Sequence, residues 1–521
     1  MKNRIISAAG LLFATTAQAQ PAPYVADDFP AEEHGWYFIT PGIFGGGNIP
    51  PRMMILDGAG HIAYHRVAPG ASDFRVWPDG RMSYAAGTKH RLMDSTFTVV
   101  DSVACAGGVI TDRHDLRILD NGHYLLLGTE FLTMDLSGYD LFLGYNAPGS
   151  PTATVECGLI QELDSAKNLL WEWHLADHFD FLETDTTRLY DPDEVDWSHC
   201  NAVEMDQDGN ILLSSRHFNE ITKIDRQADT IIWRLGGPNN DFTFVDDPGF
   251  FWQHDIRRLP NGNITLFDNS RPGAHPGRGV EYALDESQLI ATPVWSRSFG
   301  PAAYSTAMGN MQRLEDGNTL IGWGALTPDN AVFTVYSPDS SRVRELRFLD
   351  TLVSYRSYYF DTLPFALDRP GITCAQVDSG YQLTAEDGWQ VYQWSNGDPG
   401  QVTMVGLFDT VYVEVRFGQP NGWVRSEPFV PAEQCMSTGI SVQPAAAPVL
   451  YPNPAGSHVN ILLGSATATR RIELMDALGQ LLWRGNTAQG ELRIPLDGLP
   501  PGAYLVRVDG AVHRFVKDPG Y

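Results

Sequence analysis

Short apolar segments joined by Asn-Gly or Asp-Gly turns recur along the first two thirds of the chain. The clearest copies are residues 114–122, 201–209 and 254–262, and the first and third begin with a His-Asp pair. Weaker copies cover residues 74–84 and 311–321, so that turn glycines fall at positions 80, 122, 209, 262 and 317. Two apolar runs separated by such a dipeptide predict a β-hairpin.

A further strand, each time with a tryptophan, accompanies three of the hairpins, at residues 170–173, 231–234 and 293–296. We interpret it as the outer strand of a four-stranded blade. Four-stranded repeats of roughly 40–55 residues predict an all-β fold of the β-propeller type. Five or six blades fit residues 36–365. A solenoid and a β-sandwich are the alternatives, but a sandwich would not repeat one hairpin so regularly.

The hairpin pattern stops near residue 363, and the rest of the chain is organised differently. Short strands within residues 371–436 predict a small Ig-like β-sandwich. Residues 437–448 are rich in Ala, Pro and Ser and predict a linker, and residues 449–521 predict a final β-sandwich domain.

The N-terminus has the pattern of a secretory signal. Lys2 and Arg4 precede a short, mostly apolar stretch, and Ala17-Gln18-Ala19 fits a cleavage site, so we expect residues 1–19 to be a signal peptide. The apolar run is shorter than the roughly 20 residues of a membrane-spanning helix, and no other segment is long and apolar enough. We therefore expect an exported protein without a transmembrane segment.

Export permits disulfide bonds between the five cysteines. Cys374 and Cys435 bracket the predicted Ig-like module and are the preferred pair. Among Cys105, Cys157 and Cys200 at most one pair can form, and the sequence does not select it. Cys200 follows His199 directly, and because strand neighbours point to opposite faces we interpret its thiol as structural rather than nucleophilic.

The formal net charge of −27 argues against nucleic acid and anionic membranes as partners, because both require a positive face. An anionic small substrate is compatible, since a few Arg and His side chains in one pocket can outweigh a distant acidic surface. The acidic stretch at residues 177–196 is interpreted as a solvated loop, with a lid over the channel as the alternative.

Three histidines and an arginine provide the candidate chemistry. The innermost strand of every propeller blade lines the central channel, so we expect His114, His199 and His254 to converge. His199 lies two residues before Asn201 and should share its face. Arg216, on the paired strand, returns to the same end and would complete an anion pocket. The imidazoles can donate to the remaining oxygens of the anion, or one of them can act as nucleophile. Zinc binding by the histidines is the alternative, but the nearby arginine disfavours it, so no metal and no cofactor are predicted.

Several segments around these residues carry a family resemblance. In chain order they are residues 196–203, 214–217, 231–237, 251–255, 266–269 and 354–357. They resemble the arylsulfotransferase family. The resemblance implies a six-bladed β-propeller enzyme that moves a sulfuryl group from an aryl sulfate donor to a phenolic acceptor. It also implies a sulfohistidine intermediate and no nucleotide sulfate donor, and it does not imply dimerisation for this chain.

The resemblance also implies roles for individual residues. His254 would be the nucleophile, and His199 the general acid and base. Four residues would bind or orient the substrate: Arg216, His114, Asn201 and Asn269. Two other functions stay open, namely a non-catalytic surface propeller that binds sulfated or acidic glycans and a metal-dependent hydrolase or lyase.

The last domain carries a second resemblance. Residues 451–455, 472–480 and 499–508, followed by a basic tail near Lys517, resemble the C-terminal sorting domain of type IX secretion cargo. The resemblance implies export by the type IX machinery to the cell surface or the medium, with removal of the domain on the way. A generic β-sandwich is the alternative.

Overall fold

Nearly all regular structure in the chain is β-strand, as a computed structural model shows. The residues that it describes are 4–6, 21, 24–30, 34–43, 51–144, 148–301, 303–327, 331–349, 351–378, 380–416, 422–435, 449–452, 455–463, 470–476, 481–487, 489–508 and 511–518. They form two units, Met1–Ala432 and Glu433–Tyr521. Among these residues no helix is long and apolar enough to cross a membrane.

Six sheets with at least four strands each follow one another in the first unit. From the innermost strand outwards, the strands of the first three are Leu352–Phe360, Trp36–Ile43, Arg52–Asp57 and Ile62–Val67 in sheet 1; Ser72–Val76, Met82–Ala86, Lys89–Met93 and Val99–Val103 in sheet 2; and Ile110–Ile118, Tyr124–Met134, Ala153–Leu163 and Leu169–His174 in sheet 3, with Glu194–Asp196 beside Ala153–Leu163. Those of the other three are Cys200–Met205, Ile211–Ser215, Glu220–Asp225 and Thr230–Gly236 in sheet 4; His254–Arg258, Ile264–Asp268, Arg278–Asp285, Ile290–Ser298 and Thr243–Phe244 in sheet 5; and Asn310–Arg313, Thr319–Gly322, Ala331–Tyr336, Arg342–Phe348, Tyr24–Asp27 and Arg4–Ile6 in sheet 6.

The six sheets close into a ring. The innermost strand of each sheet contacts that of the next, and the innermost strand of sheet 6 contacts that of sheet 1. Strands from distant parts of the chain complete the closure, because Leu352–Phe360 pairs with Trp36–Ile43 and Tyr24–Asp27 pairs with Arg342–Phe348. The fold is therefore an all-β propeller, as the repeats predicted.

The hairpin turns lie where the sequence predicted them. The five turn glycines have φ between +81° and +89°, a backbone conformation that glycine adopts without steric strain. The N–H of each donates to the carbonyl three residues earlier, as Gly122 does to Leu119 at 2.8 Å and Gly262 to Leu259 at 2.9 Å.

The innermost strands are irregular at the positions that carry the candidate histidines. The pairing register shifts within the innermost strands of sheets 3, 4 and 5. His199 precedes its strand and has φ +45°, so strand alternation does not extend from Asn201 back to His199. The expectation that these two side chains share a face is therefore wrong.

A cluster of buried ion pairs occupies the axis beside the candidate histidines. Arg356 donates to Asp115 at 2.8 Å and to Asp73 at 3.3 Å, and Asp115 also accepts from Arg75 at 2.8 Å and from Arg257 at 2.9 Å. The cluster links the innermost strands of sheets 1, 2, 3 and 5. Because isolated charges are unstable in a protein interior, these side chains depend on one another for their burial.

The strands that follow the ring extend one of its sheets. Trp423–Arg425 pairs with Ile62–Val67 of sheet 1, and the strands Val413–Arg416 and Val391–Trp394 continue that sheet. Glu414 is buried there between His65 at 2.7 Å and Arg425 at 2.6 Å. The remaining elements are a three-stranded sheet of Ile372–Val377, Gly380–Ala385 and Val402–Val405, a strand pair of Tyr304–Ser305 and Leu326–Thr327, the helix Pro431–Gln434, and four 3₁₀ turns at Leu175–Asp177, Phe181–Glu183, Thr186–Arg188 and Arg216–Phe218.

The cysteines are paired as predicted. Cys374 and Cys435 are disulfide-bonded, whereas Cys105, Cys157 and Cys200 carry free thiols.

The second unit contains two small antiparallel sheets. One consists of Val449–Tyr451, His458–Leu462 and Glu491–Pro495, and the other of Leu481–Thr487, Arg470–Asp476, Gly502–Val508 and Ala511–Lys517. The predicted linker at residues 437–448 lies outside the described residues, as does the predicted signal peptide apart from residues 4–6.

Candidate active site

One cavity of about 410 Å³ collects four of the six predicted site residues. His114, His199, Arg216 and His254 all line it, and the rings of His114 and His199 are 5.0 Å apart. Among the described residues, its other lining includes two further arginines, a tyrosine and mainly apolar or small side chains, but no Asp or Glu. A pocket with this lining suits an anionic ligand, in a chain whose net charge is strongly negative.

His254 is held in one tautomer by its neighbours. Its Nδ1 lies 2.7 Å from Oδ1 of Asn269 and 3.0 Å from the carbonyl of Trp252, and both are acceptors, so Nδ1 carries the proton. Nε2 accepts a hydrogen bond from the backbone N–H of Met308 at 3.2 Å. Burial, and then the charge of Arg216, hold the pKa of His254 well below its usual value. His254 is therefore neutral at pH 7, with its lone pair on Nε2.

Asn269 and Asn201 stand behind the cavity wall and contact the backbone around His254. Asn269 Nδ2 donates to the carbonyl of Met308 at 2.9 Å, which turns Oδ1 towards the imidazole. Asn201 Nδ2 donates to the carbonyl of Gln253 at 2.7 Å. Neither asparagine is among the described residues that line the cavity, so both positions suit an orienting role rather than direct contact with a ligand.

His199 forms a pair with a carboxylate that the sequence did not single out. Its Nδ1 lies 2.5 Å from Oδ2 of Asp196, three residues earlier. Burial lowers the pKa of His199 against the opposing effect of this carboxylate. The contact with Asp196 places the Nδ1 proton and leaves Nε2 available for proton transfer.

His114 has a similar partner in Asp112. Nδ1 of His114 lies 2.6 Å from Oδ1 of Asp112, which also accepts the backbone N–H of His114 at 2.7 Å. Burial would lower the pKa of His114, but the negative charge of Asp112 outweighs it and the pKa is raised. The pKa of His114 is thus shifted in the opposite direction to those of His199 and His254, the other two histidines of the cavity.

Arg216 begins a 3₁₀ turn directly after the strand Ile211–Ser215. Its backbone N–H donates to the carbonyl of His199 at 3.1 Å, so the paired strands bring it beside His199, as predicted. Its side chain donates to the carbonyl of Thr306 at 2.8 Å and lies over the ring of Trp252 at 5.1 Å. Burial, and then the charge of Arg188, lower the pKa of Arg216 to about 9, so that it stays protonated at neutral pH.

The acidic stretch at residues 177–196 forms part of the cavity wall. The hydroxyl of Thr184 donates to the carbonyl of Trp197 at 2.9 Å, and Trp197 donates back to the carbonyl of Phe181 at 3.1 Å. These contacts fix the segment, and Arg188 at the end of its last 3₁₀ turn lines the cavity. The interpretation as a purely solvated loop is therefore wrong, and sequence reasoning missed Arg188 for that reason.

The thiol of Cys200, next to His199, is buried beside the cavity and does not line it. Burial raises the pKa of Cys200 to about 12, so the thiol stays protonated at neutral pH, in agreement with its structural interpretation.

The residues around His199 also include a group of potential metal ligands. Donor atoms of Asp196, His199 and His217 lie within 4.8 Å of one another and are a possible ligand set.

Comparisons with solved structures give only distant likenesses. One is a protein of unknown function from Bacteroides caccae, with 11% identity, coverage of 62% of this chain and 98% of that chain, and a TM-score of 0.38. The surface component PorZ of the type IX secretion system of Porphyromonas gingivalis has 12% identity, 90% and 68% coverage and a TM-score of 0.25. A virginiamycin B lyase from Staphylococcus aureus has 8% identity, 78% and 100% coverage and a TM-score of 0.33. No site or substrate is inferred from likenesses at this level.

Family comparisons are more informative, although no curated protein matches the chain. Residues 449–518 match the secretion system C-terminal sorting domain. The chain is therefore type IX cargo that is exported to the cell surface, as its C-terminal motifs predicted. Residues 25–356 match the arylsulfotransferase (ASST) family. This second match covers the ring of sheets and more than half of the chain, which therefore belongs to the arylsulfotransferase family.

Proposed function

We propose that the chain transfers a sulfuryl group from an aryl sulfate to a phenolic acceptor through a sulfohistidine at His254. The observation that carries the proposal is the fixed tautomer of His254. Nδ1–H points to Asn269 Oδ1 at 2.7 Å, so the Nε2 lone pair belongs to a neutral imidazole in an arginine- and histidine-lined cavity. A neutral imidazole with its lone pair towards the ligand is the form that acts as a nucleophile.

In the first half-reaction, Nε2 of His254 attacks sulfur. The N–S bond forms as the bond between sulfur and the aryl oxygen breaks, and the imidazolium of His199 gives its Nε2 proton to the departing phenolate. Because burial lowers the pKa of His199, we infer that it takes up this proton when the anionic donor binds, with Asp196 at 2.5 Å from Nδ1 stabilising the imidazolium. In the second half-reaction, neutral His199 takes the proton of the acceptor phenol, whose oxygen attacks sulfur and releases His254.

The charge on the sulfuryl oxygens is met by cations already in place. Arg216 is 3% exposed and stays protonated, and Asp112 favours the charged form of His114 by raising its pKa. Preorganised positive groups of this kind stabilise a transition state without reorganisation during the reaction. The backbone N–H of Met308 donates to Nε2 at 3.2 Å in the free protein, and this bond would be released when Nε2 attacks sulfur.

The decisive assay is turnover of 4-nitrophenyl sulfate with phenol as acceptor. Wild-type protein is expected to release nitrophenolate and form phenyl sulfate, and His254→Asn should lower the rate by at least about 10³-fold because the nucleophile is lost. His123→Asn is the matched control, since His123 bonds Glu162 at a hairpin turn outside the cavity. Turnover in H254N, or its absence in the wild type, contradicts the proposal.

A second candidate, metal-dependent hydrolysis, is favoured by one observation. The donor atoms of Asp196, His199 and His217 are close enough to share a cation. That function predicts stoichiometric metal in purified protein and loss of activity with a chelator, whereas sulfuryl transfer through His254 predicts resistance to chelation. A glycan-binding module without catalysis would show saturable binding of sulfated ligands and no release of phenol.

Export completes the proposed function. We infer that residues 1–19 direct transport across the inner membrane and are removed before the sorting domain acts. The enzyme would then meet aryl sulfates outside the cell, where nucleotide sulfate donors are scarce.

A further inference from the structure

We propose that Arg188 forms a second anion subsite in the cavity, so that the preferred aryl substrates carry a carboxylate in addition to the sulfate or phenol group. This inference rests on the proposed function, which supplies an aryl ring and a sulfuryl group as the occupants. The inference gives Arg188, which belongs to no recognised sequence motif, a role in selecting the class of substrate.

Arg188 is delivered to the cavity by a fixed turn. Asp185 caps that turn, because its Oδ1 accepts the backbone N–H of Thr187 at 3.0 Å. Its Oδ2 accepts from the indole of Trp252 at 3.2 Å and from Asn219 at 3.3 Å. The turn is thereby anchored to the residue two positions before His254, and Arg188 holds a defined place relative to the nucleophile.

Two guanidinium groups share the ring of Trp252. That of Arg188 lies 4.7 Å from the ring centre and that of Arg216 lies 5.1 Å from it. Among the described residues neither forms a salt bridge with a carboxylate, and the Nε atoms of both are buried without a hydrogen-bond partner. The side-chain hydrogen bonds of Arg188 and Arg216 go instead to the hydroxyl of Tyr190 and to the carbonyl of Thr306. The charge of Arg188 acts against that of Arg216, and an anionic ligand between them relieves this repulsion.

The number of charges calls for more than one anionic group. The described lining holds Arg113, Arg188 and Arg216 and no carboxylate, whereas His114 already has Asp112 as its partner. An aryl sulfate monoester carries a single negative charge. One sulfate therefore leaves most of this positive charge without compensation.

The two arginines also differ in depth. Arg216 is 3% exposed and its charge acts on His254, which assigns it to the sulfuryl group at the nucleophile. Arg188 is partly exposed, and apolar side chains such as Ile43, Pro51 and Val353 line the same cavity. An aryl ring against these apolar groups would direct its sulfate to Arg216 and a distal carboxylate to Arg188, where planar bidentate bonds form.

The test measures binding of sulfonates, whose carbon–sulfur bond does not permit transfer. Titration calorimetry would compare benzenesulfonate with 4-sulfobenzoate on the wild type, on Arg188→Gln and on Arg271→Gln. Arg271 is the matched control, because it stacks on Phe251 at 4.1 Å and lines a different cavity. It also lies 3.7 Å from Asp185, so R271Q removes a charge beside the turn while the bonds of Asp185 to Thr187 and Trp252 remain. The wild type should bind 4-sulfobenzoate about tenfold more tightly than benzenesulfonate, as one charge-assisted contact provides.

R188Q should abolish that preference and leave benzenesulfonate affinity unchanged, while R271Q should retain the preference. Equal affinities in the wild type, or an equal loss for both ligands in R188Q, would overturn the second subsite. The outcome is separable from the proposed function. A sulfonate preference without turnover of 4-nitrophenyl sulfate supports the subsite and refutes catalysis, whereas turnover without the preference refutes the subsite alone.

Discussion

Replacing Asp112 with asparagine is expected to slow sulfuryl transfer at neutral pH by removing the positive charge of His114. Asp112 Oδ1 lies 2.6 Å from Nδ1 of His114 and keeps the pKa of that imidazole above its usual value, against the effect of burial. Asparagine has the same shape and still accepts the backbone N–H, but it carries no charge. In D112N burial prevails and the pKa of His114 falls.

The magnitude follows from the change in one hydrogen bond. A bond from a charged donor contributes about 1.5–3 kcal/mol and a neutral one about 0.5–1.5 kcal/mol. Loss of the charge therefore removes about 1.4 kcal/mol, or a factor of about ten in kcat/KM for 4-nitrophenyl sulfate.

The pH profile distinguishes this cause from general damage. A raised pKa means that the charged form is present below that pKa and is lost as the pH rises through it. The ratio of wild-type to D112N activity should therefore be largest between the two pKa values of His114 and approach one on either side. Glu130→Gln is the control, since Glu130 pairs with His174 at 3.1 Å outside the cavity. A D112N defect that is constant with pH would refute the reasoning.

Three further substitutions test other parts of the account. Cys200→Ala should retain sulfuryl transfer from 4-nitrophenyl sulfate and lose only about 1 kcal/mol of stability, because it leaves a small void. Loss of turnover in folded protein would contradict a structural role for Cys200. Asp115→Asn should lower the free energy of unfolding in urea by about 3–5 kcal/mol, because it leaves buried arginines without their counter-charge. An unchanged midpoint of the urea unfolding curve would contradict a stabilising role for the ion cluster. Glu414→Gln should remove an acid-sensitive part of the stability. Burial raises the pKa of Glu414, but Arg425 and His65 lower it to about 2. In the wild type the stability that Glu414 contributes is therefore lost as the pH falls towards that value. Melting curves that respond to acid equally in both proteins would contradict this prediction.

The repeated hairpins were predictable because each carries its own local signal. An Asn-Gly or Asp-Gly dipeptide between apolar runs requires a residue with positive φ, and the glycines at 122 and 262 have it. Convergence of His114 and His254 on one cavity followed from their equivalent places on innermost strands. The pairing of Tyr24–Asp27 with Arg342–Phe348 could not be predicted from a local signal, because the two strands are more than three hundred residues apart in the chain.

The partners of the histidines were not predictable from strand periodicity. Asp112 and Asp196 precede His114 and His199 by two and three residues, and they reach the imidazoles only because the strands are irregular there. The same irregularity invalidates the argument that His199 and Asn201 share a face. An aspartate two or three residues before a candidate histidine is the sequence signal from which both Asp–His pairs could have been predicted. Arg188 had no comparable signal, since the acidic residues around it favoured an interpretation as a solvated loop.

The central claim is that His254 carries the sulfuryl group, and intact-mass measurement tests it most directly. Wild-type protein would be exposed briefly to 4-nitrophenyl sulfate without an acceptor, with H254N treated in parallel. We expect a mass increase of one sulfuryl group in the wild type, located on the peptide that contains His254 and discharged by added phenol. We expect no increase in H254N. An adduct that persists in H254N, or none in a wild-type protein that releases nitrophenolate, would contradict the account.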